Sequence, residues 1–294
     1  MDIGYFTGDS FVSQNGYSRG KIKLKNCHFH NNRRQGMSVL FSDTIEIDNV
    51  VIDKIGDFDG ISGTAPRSGI DIEAANGAKT VNNFIADKLI IRECTSRGII
   101  ISKPTTIINE FVIDNSDIQS IVGLLDLKAI LRNTTIGNNM SDEISIQSID
   151  LPNGELYNCR LENIQGNNLK IGYAENCIFK GKSTYQEGEI RDLSVRKSRY
   201  CTFKNIRLRQ NSNSYSFGEH FQNNFDNIGY IQFALRDDCK FIDCCFSNID
   251  ANVPSLVSSN IAQIFYNCIF DSKILSNHIL NNCAIINNIK HDNQ

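Results

Sequence analysis

Tryptophan is absent from this 294-residue chain, and proline occurs only four times. Apolar residues never run for the roughly 18 positions that a membrane-spanning helix requires. An excess of positive charge is also missing, because 30 lysines and arginines stand against 33 aspartates and glutamates. We therefore expect no membrane partner and no nucleic-acid partner, since the apolar spans and basic surfaces that serve them are lacking.

The amino terminus lacks a basic segment followed by an apolar run, which is the pattern of a secretory signal. Residues 1–15 are instead polar and interrupted by glycine. We expect synthesis in the cytosol, where the ten cysteines stay reduced. The abundance of cysteine therefore needs an explanation other than disulfide bonds.

Most of the cysteines occur in one short frame, which reads polar residue, Cys, any residue, then Phe, Leu or Ile. The frame recurs at Cys27, Cys159, Cys177, Cys201, Cys244, Cys268 and Cys283. Looser copies without cysteine, such as Asn49–Ile52 and Asn133–Ile136, fill the gaps and give a period of about 22 residues. Self-similarity on this scale is typical of solenoid and array proteins.

Each period contains short segments of alternating apolar and polar residues, as at Thr44–Ile47 and Ile70–Glu73. The sequence has no amphipathic run of helical length, which excludes leucine-rich, ankyrin and TPR arrays because most of their repeats contain a helix. We predict an all-β fold, a single-stranded right-handed parallel β-helix of about ten to twelve coils. Residues 21–294 form this domain, and residues 1–20 form an amino-terminal cap or connector.

Stacked coils place equivalent residues in vertical ladders about 4.8 Å apart. The asparagine that precedes many of the cysteines therefore predicts a ladder of side-chain amides at a turn. The cysteines themselves predict a column of small buried groups in the interior.

A second ladder is predicted in three consecutive coils. Three segments of similar pattern align on their glycines, Gly36, Gly69 and Gly98. Inserted loops at 56–66 and 74–83 flank the middle segment. Long loops on a rigid scaffold are common places for binding and catalytic residues, so we look for a site here.

This region also resembles a known family. Residues 31–38 read Asn-Asn-Arg-Arg-Gln-Gly-Met-Ser, and residues 63–73 read Gly-Thr-Ala-Pro-Arg-Ser-Gly-Ile-Asp-Ile-Glu. Over residues 26–102 the chain resembles the pectate-lyase-like right-handed β-helix proteins, which include bacterial polysaccharide enzymes and phage tail spikes. The resemblance implies a polysaccharide partner, a homotrimer, and a place on a virion tail or a secreted surface. It does not fix a reaction, because lyases, hydrolases, epimerases and binding modules share this architecture.

Two carboxylates, Asp71 and Glu73, alternate onto one outward face of the middle segment, with Cβ atoms about 7 Å apart. This spacing suits the catalytic pair of a glycoside hydrolase. Arg34 and Arg67 occupy equivalent positions before the glycine, and Arg97 lies one residue nearer to it. Their guanidinium groups suit the carboxylates or sulfates of an acidic polysaccharide. A glycan-degrading enzyme or tail-spike module of this kind requires no cofactor.

Two alternative functions remain open. Asp57 and Asp59 could join the carboxylate pair around Ca²⁺, in an arrangement that resembles the one in pectate lyases. The chain would then be a calcium-dependent lyase or epimerase on uronic-acid polymers, with Arg67 or Arg97 as the base. Otherwise the carboxylates are solvated and only pair with the arginines, and the chain is a non-catalytic carbohydrate- or receptor-binding module. The absence of tryptophan favours this last interpretation.

Aromatic and imidazole side chains complete the set of candidates. Tyr215 and Phe217 lie in a polar, aromatic segment, where they either stack on sugar rings or pack the segment onto the coil. His28 and His30 alternate outward around Phe29, and we expect them to form an exposed pair without a chemical role.

Overall fold

The computed structural model describes residues 1–13, 20–40, 42–57, 60, 62–73, 81–101, 107–124, 129–137, 149–164, 166–181, 191–209, 219–226, 231–232, 240–247, 257–258, 263–271, 283–286 and 289–291. Within these ranges the chain forms thirty β-strands and no helix, which confirms the all-β class. The described ranges accordingly include no helix with the length and apolarity of a membrane span.

The strands are short, apart from a few of nine to fourteen residues. The first fifteen are β1 (Asp2–Gly4), β2 (Phe11–Ser13), β3 (Lys21–Asn32), β4 (Gln35–Val39), β5 (Ser42–Ile55), β6 (Ser68–Ile72), β7 (Val81–Cys94), β8 (Ile99–Ile101), β9 (Ile107–Asp114), β10 (Asp117–Ile118), β11 (Ile121–Leu124), β12 (Ala129–Arg132), β13 (Thr135–Ile136), β14 (Ile149–Tyr157) and β15 (Arg160–Ile164). The others are β16 (Gly166–Glu175), β17 (Ile178–Gly181), β18 (Arg191–Arg199), β19 (Thr202–Lys204), β20 (Arg207–Arg209), β21 (Glu219–Phe221), β22 (Asn224–Asp226), β23 (Ile231–Gln232), β24 (Lys240–Ile242), β25 (Cys245–Ser247), β26 (Val257–Ser258), β27 (Gln263–Tyr266), β28 (Ile269–Asp271), β29 (Cys283–Ile286) and β30 (Ile289–His291).

The chain divides into two compact units, Met1–Glu155 and Leu156–Gln294. In the first unit, β1, β3, β5, β7 and β9 form one parallel ladder, and β2, β4, β6, β8 and β11 form another. In the second unit, β15, β17, β19, β22, β25, β28 and β30 form one parallel ladder, and β21, β24, β27 and β29 form another. Parallel ladders of this kind are consistent with a β-solenoid.

The segment predicted as a cap or connector, residues 1–20, contains the first two strands. Asp2 lies opposite His28 in the β1–β3 pair, and Phe11 lies opposite Met37 in the β2–β4 pair. Both ladders of the first unit therefore include part of this segment.

The core follows the alternation read from the sequence. In β5 the side chains of Ile45, Ile47, Val50 and Ile52 are buried. The side chains between Ile45, Ile47 and Val50 are more exposed. Asn49 breaks the alternation between the two pairs because its backbone turns at a φ of 55°. Each fully buried aliphatic side chain of this size contributes roughly 1.5–3 kcal/mol, so the interior is the main source of stability.

A column of phenylalanines fills the interior of the second unit. It consists of Phe179, Phe203, Phe225, Phe246 and Phe270, all fully buried. Successive ring centroids are 5.0, 4.9, 4.7 and 5.0 Å apart, and the rings are close to parallel. These distances match the roughly 4.8 Å rise between hydrogen-bonded strands, so the Phe position of the repeat frame is the stacking position.

The predicted amide ladder is present. Side-chain amides donate to the side-chain oxygen one rung away in the pairs Asn49–Asn26 (2.7 Å), Asn133–Asn115 (3.1 Å), Asn176–Asn158 (2.8 Å) and Asn267–Asp243 (2.8 Å), which are 18 to 24 residues apart. These residues have φ values between 46° and 56°. Asparagine and aspartate tolerate this left-handed conformation better than other residues with a Cβ, which explains the abundance of asparagine.

The predicted cysteine column is also present in the interior. The buried members are Cys94, Cys159, Cys177, Cys201, Cys244 and Cys268. None of these six cysteines forms a disulfide bond with another described residue, and the thiol of Cys177, for example, donates to the carbonyl oxygen of Glu175 at 3.2 Å. Cys27 and Cys245 depart from the column because both are partly exposed.

Candidate functional site

The three glycines of the second ladder superpose, as predicted. Met37 lies opposite Ile70, and Ile70 lies opposite Ile99, so β4, β6 and β8 share one register. A Cβ on Gly36 would lie 2.7 Å from the carbonyl oxygen of Gly69, and the same contact recurs at 2.8 Å between Gly69 and the next glycine, Gly98. Only glycine allows the rungs to approach so closely.

The carboxylate of Asp71 is buried, whereas the alternative of a non-catalytic module expected it to be solvated. Asp71 is 4% exposed, and every residue of β6 is buried. Its Oδ2 accepts a hydrogen bond of 2.5 Å from Nε2 of Gln35. The face of β6 on which Asp71 lies is therefore covered by other residues. Alternation along a strand predicts on which face a residue lies, but it does not predict what packs against that face.

Glu73 follows β6 directly and is partly exposed. Its backbone nitrogen donates to the carbonyl oxygen of Val39 at 3.0 Å. The two predicted catalytic carboxylates therefore differ in environment, because only Glu73 retains contact with solvent. Paired carboxylates in unlike environments are typical of acid and base pairs, although ion pairs that serve only structure also occur in such settings.

Asp9 belongs to this cluster and was not predicted from the sequence. Its side chain is 3% exposed, and its Oδ2 lies 3.2 Å from Nη1 of Arg34. Burial raises the pKa of Asp9 above its ordinary value, the charge of Glu73 adds to the increase, and the Arg34 guanidinium opposes it. Asp9 lies in the segment read as a cap, two residues before β2, and residues 10–13 (Ser-Phe-Val-Ser) do not alternate, so the sequence contained no signal for that strand.

Several buried polar atoms near Asp71 have no hydrogen-bond partner among the described residues. They are Oδ1 of Asp9, Oε1 of Gln35 and Oγ of Ser68. Gln35 and Ser68 lie opposite each other in the β4–β6 pair. Buried polar groups are normally paired, because leaving one unpaired costs about 1–3 kcal/mol. We call Asp9, Arg34, Gln35, Ser68, Asp71 and Glu73 the ladder site.

The predicted arginines lie next to carboxylates or backbone oxygens. Arg34 contacts Asp9, and Nη1 of Arg67 lies 2.7 Å from Oδ2 of Asp57. The side chains of Arg34 and Arg67 are 40% and 34% exposed. Arg97 is partly buried, and its Nη1 lies 3.5 Å from the carbonyl oxygen of Ser96. Among the described residues, Arg34 and Arg67 each use one of the five N–H donors of a guanidinium in these contacts, which leaves donors for a ligand.

Asp57 organises the loop that precedes β6. Its Oδ1 accepts from the backbone nitrogen of Gly63 at 2.5 Å and from Oγ of Ser62 at 3.3 Å. The hydrogen bond from Gly63 is the largest cause that lowers the pKa of Asp57, and Arg67 adds to it. Asp59, the other predicted calcium ligand, lies outside the described residues, so calcium binding stays a prediction.

Comparisons with family models, with curated proteins and with solved structures found no match to this chain. Tyr215 and Phe217 lie outside the described residues, so their stacking on sugars also stays a prediction. The partly exposed guanidiniums of Arg34 and Arg67 suit an anionic group of a ligand. The carboxylates and the unpaired oxygens of the ladder site instead suit hydrogen-bond donors, such as the hydroxyl groups of a sugar.

Proposed function

We propose that the chain is a right-handed, single-stranded parallel β-helix of about ten to twelve coils that binds an anionic polysaccharide across the rungs of the ladder site. Support for the coil number comes from the 18 to 24 residues between partners in the asparagine ladder. The proposal agrees with the resemblance of residues 26–102 to pectate-lyase-like proteins.

The observation that supports binding is the row of arginines at one edge of β4 and β6. Gln35 pairs with Ser68, so the preceding residues, Arg34 and Arg67, occupy equivalent positions one rung apart. Both guanidiniums are partly exposed and are fixed by a carboxylate partner. A row of oriented fork-shaped donors recognises carboxylates or sulfates that repeat along a polymer. Because the donors are already held in place, less side-chain entropy is lost on binding.

Hydrolysis of the bound polysaccharide is the second candidate function. The specific observation is the buried carboxylate of Asp71 beside the partly exposed Glu73. A glycosidase needs two carboxyl groups in unlike roles, one as the general acid and one as the base or nucleophile, and Asp71 and Glu73 differ in their exposure to solvent. Calcium-dependent elimination has less support, because both oxygens of Asp57 already accept hydrogen bonds within the loop or from Arg67.

A panel of bacterial exopolysaccharides tests both functions. Binding is read with immobilised polymers, hydrolysis by new reducing ends, and elimination by the ultraviolet absorbance of unsaturated uronates. Binding without products supports the binding module, and reducing ends without that absorbance support hydrolysis. If neither binding nor products occur with any anionic polymer, the proposal is wrong.

Variants then locate the chemistry. Asp71→Asn and Glu73→Gln should each abolish cleavage if these residues form the catalytic pair. The matched control is Glu46→Gln with Asp48→Asn, which removes a partly exposed pair at the same spacing on β5. Cleavage by the Asp71 and Glu73 variants at the parent rate would place any activity elsewhere.

A further inference from the structure

Three metal-ligating side chains meet at another edge of the first rungs. Asp2 in β1 lies opposite His28 in β3, and Gly4 lies opposite His30. Oδ1 of Asp2 is 3.3 Å from Nδ1 of His28 and 2.9 Å from Nε2 of His30. The three ligand atoms all lie within 4.8 Å of one another. None of these residues belongs to the ladder site.

Two of the three distances between the ligand atoms are close to those around a tetrahedral ion, and the third is at most 4.8 Å. Zinc–nitrogen and zinc–oxygen bonds of about 2.0–2.2 Å place the ligands of a tetrahedral site roughly 3.3–3.5 Å apart. The distances from Oδ1 of Asp2 to the two imidazole nitrogens, 3.3 and 2.9 Å, are close to that range. Little movement of the three side chains would therefore be needed for one ion to contact all of them.

A buried carboxylate orients the first histidine. Nε2 of His28 lies 3.2 Å from Oδ1 of Asp53, and Nη2 of Arg92 lies 3.3 Å from Oδ2 of the same residue. Asp53 is buried, so its position is well defined. When the N–H at Nε2 donates a hydrogen bond to Oδ1 of Asp53, the lone pair of Nδ1 faces Asp2. Metal-bound histidines commonly have such a carboxylate on the other ring nitrogen.

The second histidine is held by packing. A Cβ on Gly4 would lie 2.5 Å from Cε1 and 2.7 Å from Nε2 of His30, so glycine lets the imidazole lie directly against the β1 backbone. The ring of Tyr5 meets the His30 ring edge to face at 5.4 Å. His30 is also the less exposed of the two histidines. Its ring is therefore restricted before any ligand binds.

We propose that Asp2, His28 and His30 bind a divalent transition-metal ion of the zinc class, with Asp53 and Arg92 as the supporting shell. Two imidazoles favour such an ion over calcium or magnesium, which prefer oxygen ligands. Three protein ligands leave one position for water or another ligand, as in zinc sites that are not purely structural. The sequence could not reveal this set, because Asp2 reaches the histidines only through the register of β1 on β3.

The test is titration of the full chain with Zn²⁺ in a calorimeter and with Co²⁺ by visible absorbance. We expect one saturable site per chain and the Co²⁺ spectrum of a four-coordinate site. His30→Gln and Asp2→Asn should each weaken binding by about tenfold or more, and Asp53→Asn by about 10–100-fold through loss of orientation. Circular dichroism establishes that each variant retains its strands.

The matched control is Asp48→Asn, which removes a carboxylate of β5 that is not part of the cluster. This variant should bind Zn²⁺ like the parent. If the parent shows no saturable site, or if His30→Gln and Asp2→Asn both bind Zn²⁺ with the parent affinity, the proposal is wrong. The cluster would then consist only of polar contacts between the two carboxylates, Asp2 and Asp53, and the two imidazoles. Either result is independent of polysaccharide binding.

Discussion

Acidification should destabilise the protein through His220. This side chain is fully buried in β21, its Nδ1 lies 2.6 Å from Oγ of Ser198, and its ring stacks on Phe241 at a centroid distance of 5.0 Å. Burial lowers the pKa of His220 to about 3. The imidazole is therefore neutral in the folded state at every pH at which the chain is expected to fold.

The size of the effect follows from proton linkage. In the unfolded chain a histidine has a pKa of about 6.5, so below that pH the unfolded state binds a proton that the folded state does not. The free energy of unfolding therefore falls as the pH falls, by up to about 1.4 kcal/mol per pH unit between pH 6.5 and pH 3. At pH 5 the loss from this residue alone is about 2 kcal/mol.

Urea unfolding at pH 7, 6 and 5 measures the effect, with His220→Phe as the variant. Phenylalanine retains an aromatic ring against Phe241, and Ser198 keeps the hydrogen bond of 2.8 Å from Asn223. The stability of the parent should fall by about 2 kcal/mol more than that of the variant between pH 7 and pH 5. Tyr266→Phe, a change at an exposed side chain that also leaves a phenyl ring, is the control and should follow the parent. Equal losses in the parent and in His220→Phe would refute the reasoning.

Two further predictions concern the close approach of the rungs and the interior cysteines. Gly69→Ala should lower the free energy of unfolding by about 2 kcal/mol or more, because the new Cβ would lie 2.5 Å from Ile91 and 2.8 Å from a backbone oxygen. The control is Gly20→Ala, which has open space around it and should change the free energy of unfolding by less than about 0.5 kcal/mol in the same denaturant titration. A native-state reaction with a thiol reagent should modify Cys27 before Cys94, because burial raises the pKa of the Cys94 thiol and excludes the reagent. Comparable losses for the two glycines, or labelling of Cys94 at the rate of Cys27, would contradict these predictions.

The repeat itself was predictable because its causes are local. The left-handed backbone conformation at each turn favours asparagine, as at Asn176 with a φ of 53°. The interior between stacked strands favours small thiols and phenyl rings that stack on the same residue of the next rung. The alignment of Gly36 with Gly69 was also predictable, because no other residue fits where one rung stacks so closely on the next.

The sites were less predictable because they depend on contacts between rungs. Alternation along the strand predicted that Asp71 lies on the outward face. It could not predict that this face is buried or that Gln35 donates a hydrogen bond to Asp71. Asp9 and Asp2 lie in a segment whose strands are only three residues long, and short strands give little alternation to recognise. Their partners are fixed by register, which the sequence of a single rung does not contain.

Binding of an anionic polysaccharide by the three arginines Arg34, Arg67 and Arg97 is the claim on which the functional account rests. The direct measurement compares the parent, the triple variant Arg34→Gln, Arg67→Gln and Arg97→Gln, and a control in which Lys21, Lys23 and Lys25 are changed to Gln. The three lysines are exposed cations paired with Glu46 or Asp48, so the control removes the same charge from another surface.

Affinities are measured for the anionic polymer that binds the parent best in the panel and for its carboxyl-reduced, neutral form. The account predicts that the parent prefers the anionic form, that the arginine variant loses about tenfold or more in affinity for it, and that the lysine variant stays within about threefold of the parent. Equal losses in the two variants, or an arginine variant that binds like the parent, would contradict it.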